Sequence, residues 1–171
     1  MKAIQTVYNG IKYRSRAEAR WAVVFDQIGW RHWYEVEGFQ LPSGPYLPDF
    51  FLPDHKTFFE VKGQMPNWHE MKLADELAVA TEQIVIISHG PPDHRRKEWA
   101  NDLSVFYPEM SVDDEIYADW HDGEFVSGRR ENHPKCSIDL GNLAYLGGGN
   151  EVSWQTAFAR AANHRFGVFN H

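Results

Sequence analysis

Asp49, Glu60 and Lys62 are the residues of this 171-residue chain whose types and spacing could do chemistry together. Glu60 and Lys62 sit two apart in Phe58-Phe59-Glu60-Val61-Lys62-Gly63, a run of strand character. They therefore share one face, and Val61 takes the other. Asp49 lies in a second such run, Tyr46-Leu47-Pro48-Asp49-Phe50-Phe51-Leu52. Between the two, Pro53-Asp54-His55-Lys56-Thr57 has turn composition, so the whole reads as a β-hairpin with Asp49 in its first strand. Closing that hairpin brings Asp49 toward Glu60. Charged side chains are rare on apolar strands unless they are paired or bind a metal. Two neighbouring carboxylates repel, and a hard divalent cation resolves the conflict, held by one or two carboxylates plus water and phosphate. A lysine beside them could stabilise developing negative charge or orient an attacking water. The plainer alternative is a solvated hairpin face carrying one Glu60–Lys62 pair worth about a few tenths of a kcal/mol.

The elements that must position these groups are legible on both sides. Asn9-Gly10 between short β-prone runs predicts a two-residue hairpin turn within residues 5–13. Ser15 can cap a helix that Gly29 can end, with Ala17, Trp21, Val24, Phe25 and Ile28 on one apolar stripe. Glu18 flanks that stripe, and Arg14, Arg16 and Arg20 surround it. Ser15-x-x-Glu18 is also a capping box, in which the glutamate would bond back to the cap's own amide. A strand is expected at 32–37 with Glu35 and Glu37 facing solvent, then a turn at Pro42-Ser43-Gly44-Pro45. Residues 66–81 have helical composition, with Trp68, Met71, Leu73, Ala74, Leu77 and Ala78. Lys72 lies early on that helix, where an ion pair with Asp75 or Glu76 is the plainer role. Gln83 to Ser88 is a short apolar run, the mark of a strand buried on both faces. The order predicts an α/β fold with a mixed central β-sheet flanked by helices.

In that setting, Pro48-Asp49 followed by Glu60-Val61-Lys62 resembles the signature of the PD-(D/E)XK nucleases, the restriction-endonuclease-like superfamily. The resemblance covers residues 1–88, which it makes a nuclease core, with 89–171 as a C-terminal extension. It implies that Asp49 and Glu60 ligate Mg²⁺ or Mn²⁺, with Glu18 as a third acid, directly or through water. Glu18, Asp49, Glu60 and Lys62 would be the catalytic set. Arg14, Arg16 and Arg20 would contact DNA phosphates, with Lys72 as a weaker candidate. The implied activity is metal-dependent hydrolysis of DNA phosphodiester bonds, leaving a 5′ phosphate, in the manner of compact phage, plasmid and mobile-element endonucleases. A structure-specific resolvase of branched DNA is a rival within enzymes. A non-catalytic DNA- or protein-binding module on the same fold is a rival outside them, although all four catalytic-type residues are present.

Composition bounds these readings. One cysteine, Cys136, excludes an intramolecular disulfide and fits a reducing cytosol, so a cytoplasmic location is expected. No apolar run approaches the roughly 18 residues of a membrane span. The net charge of −7 argues against a general nucleic-acid coat protein. The charge is uneven, however. Residues 1–63 carry eight Lys or Arg against seven Asp or Glu, and the remainder carries nine against seventeen. The half with the motif is the half that could approach a phosphate backbone.

Beyond His89 the signals weaken. Gly90-Pro91-Pro92-Asp93 is a break, Arg95-Arg96-Lys97 a basic run, and 115–126 a hairpin turning at His121-Asp122-Gly123. Arg129 and Arg130 form a second basic pair, and Gly147-Gly148-Gly149-Asn150 reads as a linker rather than a phosphate loop. His121, His133 and Cys136 match no familiar zinc spacing. Ser153 opens an amphipathic helix with Trp154, Phe158, Ala161 and Ala162 inward and Arg160 and Arg165 outward. That stripe either covers the chain's own core or forms a homodimer contact.

Overall fold

The computed structural model describes residues 3–93, 95, 103–108 and 152–166, and the backbone of 118–121 and 124–127. Its centre is a five-stranded mixed sheet. Strands β3 (Trp33–Tyr34), β6 (Phe50–Leu52), β7 (Thr57–Lys62), β8 (Ile84–His89) and β9 (Leu103–Phe106) lie side by side in that order. Only β7 and β8 run parallel, and the helix α2 (Trp68–Thr81) makes the crossover between them. The remaining pairs are antiparallel. Small hairpins stand outside the sheet: β1–β2 (Thr6–Tyr8 and Ile11–Tyr13), β4–β5 (Phe39–Leu41 and Gly44–Tyr46) and β10–β11 (Ala118–His121 and Glu124–Ser127). The mixed α/β architecture with flanking helices follows the sequence pattern.

Alternation along β7 splits the core into two layers. Phe59 and Val61 join Phe50, Ile86 and the stripe of α1 (Arg16–Ile28). Phe58 joins Tyr46, Val85, Ile87 and the inner face of α2, Leu73, Ala74, Leu77 and Ala78. The first layer is largely aromatic. Phe25 and Trp21 meet Phe59 with ring centroids 5.2 and 4.7 Å apart. Such ring pairs contribute about 0.5–1.5 kcal/mol each beyond their buried area. The layer is closed by α3 (Trp154–Asn163), whose Trp154, Ala157, Phe158 and Ala161 pack with the α1 residues. The apolar stripe of the last helix thus covers the chain's own core. The sheet's outer strand β9 also comes from beyond residue 88.

Local signals account for the element ends. Asn9 and Gly10 take φ of 46° and 79°, the paired positive values of a tight hairpin turn. Ser15 caps α1 by accepting from the Glu18 amide, and Gly29 ends it in the left-handed region at φ 78°. Two expectations need correction. The strand expected over 32–37 shortens to Trp33–Tyr34, because Glu35 turns the chain at φ 47°. Trp68, grouped with the apolar residues of its helix, is 56% exposed. Among the described residues, no helix is long and apolar enough to cross a membrane. Arg96, Lys97, Arg129, Arg130, His133, Cys136 and the glycines at 147–149 lie outside the described residues, and His121 is described by its backbone alone.

Candidate metal centre

The organising hairpin forms with Leu52 opposite Thr57 and Phe50 opposite Phe59. A short 3-10 turn (Pro53–His55) and Lys56, at φ 48°, make its bend. Asp49 stands at a bend one residue before β6 rather than inside the strand. From there its carboxylate reaches across to β7, where Oδ2 accepts from the Val61 amide at 2.7 Å. The reverse contact also forms: the Asp49 amide donates to Glu60 Oε2 at 3.1 Å. Each acid is thus tied to the backbone beside the other, and both are buried, with Asp49 7% and Glu60 6% exposed. The third partner is Lys62, on the same face as Glu60. Its Nζ lies 2.9 Å from Glu60 Oε1 and 3.2 Å from Glu70 Oε1.

Electrostatics make this a site with surplus negative charge. Burial, then the charges of Glu60 and Glu18, push the Asp49 carboxyl up to about 8. The Val61 amide and Lys62 work the other way without prevailing. Burial also raises Glu60, against the pull of Lys62 and the Asp49 amide. For Lys62, burial disfavours the ammonium, but Glu60 and Glu70 outweigh it and hold the group above its ordinary value. Among the described residues, one ammonium therefore serves Glu60 and Glu70, and none pairs with Asp49. Such a pair holds a proton when empty and would exchange it for a divalent cation.

Glu18 approaches from the other layer. It is 5% exposed, near the start of α1. Its Oε2 accepts from the Tyr34 hydroxyl at 2.6 Å and from the Arg14 amide at 3.0 Å. The capping box forms only in half: Ser15 takes the Glu18 amide, but the glutamate bonds to the Arg14 amide, not that of Ser15. Both bonds fall on Oε2, and the carboxylate is near enough to raise Asp49 and Glu60. Among the described residues, no three acid, histidine or cysteine side chains converge into a ready ligand group. The Asp49–Glu60 pair alone suits Mg²⁺ or Mn²⁺, which need one or two carboxylates and fill the remainder with water and phosphate oxygen.

The basic residues divide. Arg16 is exposed. Arg14 lies with Nε 2.5 Å from Glu35 Oε1, an ion pair whose angle misses that of a hydrogen bond, and its side chain is 58% exposed. Arg20 is half-buried, and its Nε has no hydrogen-bond partner. Lys72 makes the plainer contact, with Nζ 4.0 Å from Glu76 Oε1.

Three residues at the site escaped the sequence reading: Tyr34, Tyr46 and Glu70. Glu70 had a signal, since Asn67-x-x-Glu70 opens α2 as a complete capping box. That box fixes Glu70 beside Lys62. The tyrosines had none, because only the folded register brings β3 to Glu18 and β5 to Glu60. The chain matches no protein-family model, and no curated protein or solved structure is significantly similar to it.

Proposed function

We propose that this chain is a metal-dependent DNA endonuclease with a restriction-endonuclease-like core. The observation that carries the reading is the buried Asp49–Glu60 pair, mutually bonded through its backbones and, among the described residues, supplied with only a shared lysine. A structural ion pair would be neutral, whereas this arrangement keeps an acid uncompensated. A divalent cation bound there would lower the pKa of a water and neutralise charge on a phosphodiester. Asp49 and Glu60 would hold it, and Glu18 would orient water from the α1 side. Lys62 would donate to the attacking water or to the developing phosphoryl charge. Exposed Arg16 and Arg14 lie at the same end of α1 and would fix the DNA backbone.

The test is cleavage of linear duplex, single-stranded and branched DNA with Mg²⁺ or Mn²⁺, set against EDTA. Glu60→Gln and Asp49→Asn each remove metal-binding charge at nearly constant volume. Both should abolish cleavage while leaving the circular dichroism spectrum unchanged. Lys62→Ala should lower turnover more than cation affinity. Undiminished wild-type cleavage in EDTA, or full activity in Glu60→Gln, would falsify the assignment.

A further inference from the structure

Tyr46 closes β5 and packs with Phe58 and Leu73 in the α2 layer. The residue is 8% exposed, and its buried hydroxyl lies within reach of the Glu60 carboxylate without completing a hydrogen bond to any of the described residues. The groups close enough to act on it are Glu60, Asp49 and Glu70. A buried phenol normally finds a partner, and a phenylalanine would fill the same space without leaving a polar atom unmet. The hydroxyl is therefore a local inconsistency beside the carboxylate pair.

The neighbouring contacts show what it could serve. Glu60 has both oxygens engaged, Oε2 with the Asp49 amide and Oε1 with Lys62. Lys62 is already divided, with Glu70 as its second partner at 3.2 Å. Glu70 is itself held by the Asn67 amide at 2.8 Å, so it is a fixed alternative seat for the ammonium. An ammonium and a divalent cation cannot share Glu60 Oε1 without strong repulsion.

We propose that Tyr46 is a positioning residue whose O–H closes on the Glu60 carboxylate when Lys62 withdraws to Glu70. The inference rests on the reading of Asp49 and Glu60 as a cation site. No proton changes hands in this exchange. Glu60 loses an ammonium donor and gains a hydroxyl donor, and Lys62 keeps its ion pair with Glu70. The hydroxyl then fixes the orientation of Glu60 as a ligand, the role that partners behind metal ligands commonly play.

Tyr46→Phe removes the hydroxyl and keeps the ring. Because the missing group completes no hydrogen bond in the metal-free protein, the melting temperature should hold or rise by about 2–4 °C. Mn²⁺ affinity, measured by calorimetry on the full chain, should fall about 10-fold or more. Glu70→Gln, which removes the alternative seat, should weaken Mn²⁺ in the same way, and the double variant should lose little beyond either single one. Wild-type Mn²⁺ affinity in Tyr46→Phe overturns the proposal. So does a clear drop in its melting temperature, which would assign the hydroxyl to the fold. If the wild type binds no Mn²⁺, this inference and the cation site fall together. If it binds Mn²⁺ but cleaves none of the DNAs, the nuclease reading fails alone, and the calorimetry still decides the role of Tyr46.

Discussion

Raising the pH should destabilise the metal-free protein through Asp49, and a divalent cation should cancel the effect. Asp49 is pushed up to about 8 in the folded chain, against an ordinary carboxylate when unfolded. Between about pH 4 and 8 the folded state therefore binds more protons, so stability falls as pH rises through that window. Asp75, raised to about 6, contributes in the lower part. Measurement from pH 6.5 to 8.5 leaves Asp49 as the main site. One proton over about 1.5 pH units corresponds to about 2 kcal/mol. For a chain of this length that is about 4–8 °C in melting temperature.

The assay is thermal unfolding across that range in EDTA and again with excess Mg²⁺ or Mn²⁺. The cation binds the ionised pair, so its stabilisation should grow with pH, reaching about 2.7 kcal/mol at 100 times its Kd. Asp49→Asn should flatten the metal-free slope and abolish the cation's effect. A wild-type melting temperature equal at pH 6.5 and 8.5 in EDTA refutes the electrostatic argument. A cation effect that survives in Asp49→Asn refutes the placement of the site.

Two other perturbations separate site from scaffold. Tyr34→Phe removes the 2.6 Å hydrogen bond to Glu18 and should reduce metal-dependent turnover about 10–100-fold, with the fold intact by circular dichroism. Asp75 is fully buried on α2 with neither carboxylate oxygen hydrogen-bonded. Asp75→Asn should therefore raise stability at pH 8 by about 1–3 kcal/mol in denaturant unfolding, and the gain should shrink steadily as the pH falls toward about 4, where the acid is neutral in the folded chain and largely so in the unfolded one.

Much of the fold was legible because its signals are local. Asn9-Gly10, Ser15, Gly29 and the 53–57 turn each mark an element end by backbone preference, and each appears where expected. The β8 run reads as buried on both faces, and Ile86 indeed faces one layer while Val85 and Ile87 face the other. The site was legible only as far as spacing reaches. Glu60 and Lys62 share a face by period alone, but the contact of Asp49 depends on a bend that pattern does not announce. Tyr34 and Tyr46 are separated from their acids by 16 and 14 positions. They read as ordinary aromatic residues until pairing sets β3 and β5 in place.

The same alternation that builds the core also explains why charge can be concentrated here. Strand β7 is central, hydrogen-bonded to β6 on one side and β8 on the other. Its inner length carries Phe58 and Phe59 into the two apolar layers, and only its last residues turn acidic and basic. An uncompensated carboxylate pair tends to push apart, by side-chain rotation or by fraying of the strand end. Rotation is opposed by the reciprocal bonds to the Asp49 and Val61 amides. Fraying is opposed by the ladder, since β7 pairs with β8 from Thr57↔Ile84 through to Lys62↔His89. The aromatic layers therefore hold the two acids together against their own repulsion, and on the proposed reading that repulsion would favour a cation over a proton as the pH rises.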